Sequence, residues 1–173
     1  MEDNFQNKTT QEDGHKKAYL YSIRLLAKRD YSRHKLKQKL LDQDHSLDLI
    51  ENLLDELVER KYLREDYYAE ARIKWMMRKG YAPSYIIQKL QQENVIVTFD
   101  LINEIFLEYK YSTYSQLEYL IEKKTRSQNK EQLVDFNFRK KLLRYFISKG
   151  HTLGQGNEVI EALIRSDDNG EVH

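Results

Sequence analysis

The feature that most constrains the fold is an internal repeat with a period of 50 residues. The segment GYAPSYIIQKL (residues 80–90) matches DYSRHKLKQKL (residues 30–40), with Tyr81 aligned to Tyr31. A weaker third copy begins near Ser115. A period of this length is typical of tandem helical units that stack in a row.

Within each copy, apolar residues recur at steps of three and four, which predicts short amphipathic helices. Ser32 is placed to cap the second helix, and residues 44–46 separate the second helix from the third. Pro83 falls at the first position of the matching helix, where its missing N–H costs nothing. The only β-branched run, residues 95–98, is expected to be a turn between helices rather than a strand.

We therefore predict an all-α protein of three tandem three-helix repeats in an elongated, curved arrangement. The third repeat takes residues 138–150 as its middle helix and residues 157–164 as its last. The predicted boundaries are a flexible polar N-terminal tail (1–14), repeat one (15–62), repeat two (63–111), repeat three (112–165) and a polar C-terminal tail (166–173).

Composition favours a folded helical chain and permits a reducing compartment. Apolar residues make up 40% of the 173 residues and charged residues 33%, which is enough apolar material for a core. The absence of Cys excludes disulfides and thiolate chemistry. No apolar run approaches the roughly 18 residues that a membrane span needs, and the acidic start is unlike a secretory signal. We expect no membrane association and a cytoplasmic location.

The net charge of +1 conceals a separation of charge between helices. Basic residues concentrate before or within the middle helix of each repeat, whereas residues 42–59 carry seven acids and no base. The candidate partner-binding residues are Lys28, Arg29, Arg33, Lys35, Lys37, Lys39, Arg72, Lys74, Arg78, Lys79, Arg139, Lys140, Lys141 and Arg144. They either contact an anionic partner or neutralise acidic helices of the same protein. Arg33 and Lys37 lean toward the packed side of their helix.

Catalysis has little support in the sequence. There is no G-x-x-x-x-G-K-[ST] phosphate loop, and the five His residues show no metal spacing. The adjacent carboxylates Glu65 and Asp66 are better explained as charges at a helix start than as a catalytic pair. Trp75 lies among bases and is expected to pack, with stacking on nucleotides as the alternative. We expect no enzyme activity, no cofactor and no metal.

Several motifs in fixed order resemble the RecX family of bacterial RecA regulators. They are LAKRDYS (26–32), KYLRED (61–66) and KGYAP (79–83), each followed by apolar residues at helical spacing. The resemblance runs from about Ala18 to Ile164. The chain departs from the family pattern at Lys35, where Glu is usual, and at Lys61, where Gly is common.

The resemblance implies a protein that binds RecA and the RecA filament on single-stranded DNA. It further implies that binding mainly inhibits the recombinase, ATPase and coprotease activities of RecA. The 50-residue repeat separately predicts that the protein is a monomer. The basic helices add an expectation of weak direct binding to single- or double-stranded DNA.

Two other functions fit the residues. A three-helix unit with a basic helix also describes helix-turn-helix proteins that bind DNA directly, although such proteins usually dimerise. The alternative is a helical scaffold that binds protein through its acidic helices.

Overall fold

The computed structural model describes residues 2–125 and 130–168; residue 1, residues 126–129 and residues 169–173, which include His173, lie outside the described part. Helices and one short 3-10 turn account for most of it. Their bounds are α1 Glu2–Leu26, α2 Arg33–Leu41, α3 Leu47–Glu59, α4 Glu65–Arg78, α5 Pro83–Gln92, α6 Phe99–Glu108, α7 Thr113–Thr125, the 3-10 helix Lys130–Leu133, α8 Phe136–Ser148 and α9 Leu153–Asp168.

The all-α prediction is confirmed: residues 2–125 and 130–168 contain nine α-helices and no strand. Ser32 is the N-cap of α2 and its side chain accepts a hydrogen bond from the backbone N–H of Lys35. Pro83 opens α5, and residues 95–98 form the connection between α5 and α6. Helical periodicity and capping residues therefore located the starts of α2 and α5 correctly, whereas α9 begins at Leu153, four residues before the predicted start.

The ends of the chain differ from the expected tails. Residues 2–14 continue α1, and residues 166–168 continue α9. No Pro interrupts either segment. Glu, Gln and Lys in the first segment are good helix formers, so α1 continues toward the N-terminus beyond the part that packs in the core.

The chain divides into two compact units, and the dividing lines fall inside the predicted second repeat. The first unit comprises the described residues up to Ala71 together with Leu90–Ile96, and the second comprises Arg72–Lys89 with the described residues from Val97 onward. The three repeat boundaries remain predictions of the sequence.

The first unit is built around α1, α2 and α3, which contact one another pairwise. Its core contains fully buried leucines from α2 and α3, with Ala18 from α1 and Tyr31 from the connection between α1 and α2. Burying each such leucine contributes roughly 1.5–3 kcal/mol. The buried residues are Ala18, Tyr31, Leu36, Leu40, Ile50, Leu53, Leu54, Leu57 and Leu63.

One hydrophobic cluster of the second unit lies among α7, α8, α9 and the 3-10 helix. The largest fully buried side chain there is Phe146, which projects from α8. The buried residues are Leu117, Leu120, Ile121, Leu133, Leu142, Phe146, Val159, Ile160 and Leu163.

Five helices end in the same way, with one residue in the left-handed region followed by a backbone N–H that returns to the last turn. Lys61 has φ +58°, and the next N–H, that of Tyr62, donates to the Leu57 carbonyl at 2.9 Å. The same pattern ends α4, α5, α6 and α8. This is the Schellman arrangement, which satisfies carbonyls that a helix end otherwise leaves unpaired. The left-handed residues are Lys61, Gly80, Asn94, Lys110 and Gly150.

Replacing Lys61 by Gly should stabilise the first unit. A residue with a Cβ pays about 1 kcal/mol or more in the left-handed conformation, whereas Gly adopts it freely but loses more entropy on folding. We expect a net gain of about 0.5–1 kcal/mol in the free energy of unfolding, measured by urea denaturation. Lys61→Ala is the matched control because it removes the same side chain and keeps the Cβ; an equal gain from both variants would contradict the explanation.

In the second unit, two buried polar side chains satisfy the carbonyls at the end of α4. Gln116 Nε2 donates to the Met77 carbonyl at 2.9 Å and to the Tyr81 carbonyl at 3.1 Å. His151 Nε2 lies 2.9 Å from the Gly80 carbonyl oxygen. A carbonyl only accepts, so Nε2 carries the ring proton. His151 Nδ1 is buried and has no hydrogen-bond partner.

The free energy of unfolding should depend on pH through His151. Burial lowers the pKa of His151 and outweighs the bond to Gly80, which acts in the opposite direction. Between the lowered folded pKa and the unfolded value of about 6.5, the unfolded chain binds a proton that the folded chain does not. Stability from this group is therefore present above about pH 6.5 and falls as the pH drops toward the folded pKa.

Thermal melts monitored by circular dichroism between pH 7.5 and pH 5 test this. His151→Gln keeps an N–H donor and removes the titration, so its melting temperature should fall less over that range than the parent's. Parallel pH profiles for the two proteins would show that His151 is not the responsible group.

Candidate functional site

Two of the four bases of α2, Arg33 and Lys37, are directed at α3. Arg33 binds the Glu51 carboxylate through Nη2 at 2.7 Å and the Asp55 carboxylate through Nη1 at 2.7 Å. Lys37, one turn along α2, also binds Glu51. Residues four apart on one helix thus meet residues four apart on the next, which neutralises charge within the unit.

The electrostatics of this contact follow from its hydrogen bonds. Burial acts to lower the pKa of Arg33, but the bonds to Glu51 and Asp55 outweigh it and the pKa is raised. The bonds from Lys37 and then Arg33 lower the pKa of Glu51. Both shifts favour the charged forms of Arg33 and Glu51.

Lys35 is held by a different pair of residues. Its Nζ contacts the Tyr68 hydroxyl at 2.6 Å and the Glu93 carboxylate at 2.9 Å, and Tyr68 also donates to Glu93. Tyr68 is buried, and burial followed by the bond to Glu93 raises its pKa, although Lys35 opposes this. The hydroxyl therefore keeps its proton and bridges Lys35 to Glu93.

The remaining three bases of this segment point to solvent. Lys28 and Arg29 follow α1, and Lys39 lies in the last turn of α2; all three are exposed. Arg29 lies 4.8 Å above the ring of Tyr31, and Lys39 makes only a long contact of 3.6 Å with Asp42. Such exposed contacts leave most of the charge available to a partner.

In the second unit, the bases of α4 lie over aromatic rings. Arg72 is 5.1 Å from the ring centre of Trp75, and Lys74 is 4.8 Å from that of Tyr109. Arg78 lies 5.8 Å from the same Tyr109 ring and is exposed. Trp75 was expected to pack, but 49% of its surface is exposed because the core face of α4 is taken by neighbouring residues such as Met76 and Met77.

The bases of α8 also divide into a half-buried residue and exposed residues. Arg139 is half-buried and binds Glu161 at 2.7 Å and Asn157 at 2.9 Å. Lys140, Lys141 and Arg144 are exposed. The sequence of α8 contains no acid, so this part of the second unit has a local excess of positive charge.

The fourteen predicted residues therefore fall into two groups. Six are half-buried and contact acids, amides or aromatic rings: Arg33, Lys35, Lys37, Arg72, Lys74 and Arg139. Eight are exposed: Lys28, Arg29, Lys39, Arg78, Lys79, Lys140, Lys141 and Arg144. The exposed eight are the part of the predicted site that a partner can reach in either unit.

Sequence reasoning missed the acceptors of the half-buried group. Glu51 and Asp55 are four residues apart, as are Arg33 and Lys37, so the contact between these two pairs could have been predicted from the sequence. The ion pair of Lys35 with Glu93 joins residues far apart in the chain, and no sequence pattern predicts it.

No other chemistry emerges from the described residues. Residues 2–125 and 130–168 contain no group of three or more His, Asp or Glu side chains arranged to hold a metal ion. Within the same ranges, no helix is long and apolar enough to cross a membrane.

The two groups of bases should differ in their effect on stability. Reversing Arg33, Lys35 and Lys37 to Glu breaks the contacts with Glu51, Asp55 and Glu93, so we expect a lower melting temperature. Reversing Lys28, Arg29 and Lys39 to Glu changes the net charge equally but should leave the melting temperature nearly unchanged, since exposed charges contribute under ~1 kcal/mol each. Circular dichroism melts check this, and equal destabilisation by both sets would contradict the assignment.

Comparisons with known proteins agree with this architecture. Residues 18–57, which span the end of α1 through most of α3, match the family model described as RecX, first three-helix domain. The regulatory protein RecX of Haemophilus influenzae Rd is 27% identical over 133 residues, covering 77% of this chain and 86% of that protein. The regulatory protein RecX of Pseudomonas syringae pv. tomato is 38% identical over 71 residues, covering 41% of this chain and 46% of that protein.

Solved structures show the same fold. A crystal structure of RecX from Lactobacillus salivarius superposes with a TM-score of 0.65 at 19% identity, covering 88% of this chain and 97% of that one. A crystal structure of a regulatory protein RecX gives a TM-score of 0.68 at 17% identity, covering 94% of this chain and 78% of that one. The three-helix domain at residues 18–57, the similar sequences and the shared helical fold agree with one another: this chain is similar to RecX proteins in sequence and in fold.

Proposed function

We propose that this chain is a cytoplasmic, monomeric regulator that binds RecA and the RecA filament on single-stranded DNA, and that its main effect is inhibition of the recombinase, ATPase and coprotease activities of RecA. It acts by binding and not by catalysis. Relatives that carry the name regulatory protein RecX support this assignment.

The observation that carries the proposal is the set of eight exposed bases. Each unit has its own exposed bases, with Lys28, Arg29 and Lys39 in the first and five others in the second. A filament that contains DNA is an anionic partner, and exposed Lys and Arg attract such a partner over a Debye length of about 10 Å. The same bases support weak direct binding to single- or double-stranded DNA, which occurs through phosphates.

Sequence-specific reading of DNA by the first unit is disfavoured. A helix-turn-helix protein inserts its recognition helix into the major groove. In the first unit α3 would take that role, but it carries Asp48, Glu51 and Asp55 and no base. Repulsion from DNA phosphates opposes such insertion.

The scaffold alternative is weakened by the same contacts. The acids that would attract a basic partner are in part already engaged, since Glu51 binds Arg33 and Lys37 while Asp55 binds Arg33. The acidic face of α3 is therefore largely neutralised by its own unit.

The experiment measures inhibition of the single-stranded-DNA-dependent ATPase of RecA. Reversing Lys28, Arg29 and Lys39 to Glu should raise the concentration needed for half-inhibition by about tenfold or more, because three favourable charge contacts become repulsive. Each lost phosphate contact should also lower the slope of log affinity against log salt by about one unit. Binding to the preformed filament, followed by fluorescence anisotropy at two salt concentrations, should weaken and respond less to salt.

The matched control reverses Lys16, Lys17 and Lys61, which are also exposed and belong to the same unit. It changes the net charge by the same amount and should inhibit nearly as well as the parent. If the two triple variants inhibit equally, the exposed bases of the first unit are not the contact. If the parent itself binds neither RecA nor the filament, the proposed function is wrong.

A further inference from the structure

One side of α8 forms an open groove with the start of α9 in the second unit. Its lining residues on α8 are spaced by three and four and lie along a single face: Phe136, Arg139, Lys140, Leu143, Arg144 and Ile147. Leu153 and Asn157 of α9 complete the lining, and the groove encloses about 610 Å³. This volume lies within the range of roughly 300–1,000 Å³ that is typical of binding pockets.

The groove is apolar at its floor and exposed to solvent. Leu142 and Phe146 occupy an adjacent face of α8 and are buried in the core, while the lining residue Leu143 packs against the edge of that core. Among the apolar lining residues, Phe136 and Ile147 of α8 are 74% and 49% exposed, and Leu153 of α9 is 53% exposed. A contiguous exposed apolar patch on one helix face is typical of an interaction surface.

The rim of the groove is basic. Lys140 and Arg144 are exposed and one helical turn apart, and the lining residues include no acid. The charge of Arg139 is already matched by Glu161. The two rim bases would therefore be complemented by acids that flank an apolar segment of a partner.

We propose that this groove binds an acidic amphipathic helix of a protein partner. The lining from Phe136 to Ile147 is about 17 Å long, which matches a partner helix of about three turns with apolar anchors at positions i, i+3, i+4 and i+7. Acidic residues on the edges of that helix pair with Lys140 and Arg144. The inference does not depend on RecA being the partner.

Two other occupants fit less well. A nucleic acid strand would need several aromatic rings for its bases to stack on, whereas Phe136 is the only ring in the lining. A second copy of this chain, placed symmetrically on the groove, would bring Lys140 and Arg144 against the same bases of its partner. Like charges in contact disfavour that arrangement.

The test is a selection from random peptides of about 14 residues displayed on phage, with the full-length protein as bait. Binders are counter-selected on the variant Phe136→Ser/Ile147→Ser, which removes two exposed anchors without touching the core. Enriched peptides should be net acidic and should carry apolar residues at helical spacing. Labelled versions of these peptides should lose at least tenfold in affinity, by fluorescence anisotropy, for Lys140→Glu/Arg144→Glu.

The control variant is Leu107→Ser with Lys123→Glu, which removes an exposed apolar residue from α6 and an exposed base from α7 of the second unit. It should bind the selected peptides as the parent does, and all variants should keep the parent's helicity. Enrichment of basic peptides, or no enrichment that depends on the groove, would overturn the proposal. So would groove-dependent binding of oligo(dT), or a dimer in sedimentation that Phe136→Ser/Ile147→Ser abolishes.

Discussion

The whole structure depends on short helices that stop sharply. After α3, α4, α5, α6 and α8, a single left-handed residue turns the chain, and the next N–H returns to the helix it has just left. This satisfies orphan carbonyls and turns the chain away from the helix axis. Where the left-handed residue is Gly, the space is also filled: a Cβ on Gly80 would lie 2.7 Å from Leu120, and one on Gly150 would lie 2.4 Å from Tyr85. At Lys61 and Lys110 a residue with a Cβ adopts the left-handed conformation, which is strained.

Sharp helix ends also decide what each base can do. The helix α2 is nine residues long and packs against α3. Its rotation about its own axis decides which side chains face α3 and which face solvent. Arg33 and Lys37 meet the acids of α3, whereas Lys39 lies on the outer side. The positive segment seen in the sequence is therefore two surfaces, one that holds the unit together and one that faces solvent.

Much of the fold could be predicted because its signals are local. Periodicity, the cap at Ser32 and the position of Pro83 each act over a few residues. The candidate site was harder to predict from the sequence, because the sequence gives the sign of each charge but not the residue with which it pairs. Lys35 finds Glu93 through a contact between distant parts of the chain, and Trp75 is half-exposed although its residue type favours burial. The extent of α1 was underestimated because polar helix formers carry no apolar periodicity.

The apolar groove and the exposed bases would respond to solution conditions in opposite ways. Salt screens exposed charges and weakens contacts with an anionic partner. Burial of Phe136, Ile147 and Leu153 is not screened, and excluded salts such as sulfate strengthen it. A partner that uses both surfaces would be attracted at long range by charge and retained at short range by apolar contact. In that case salt would act mainly on the rate of association, and loss of the apolar anchors mainly on the rate of dissociation.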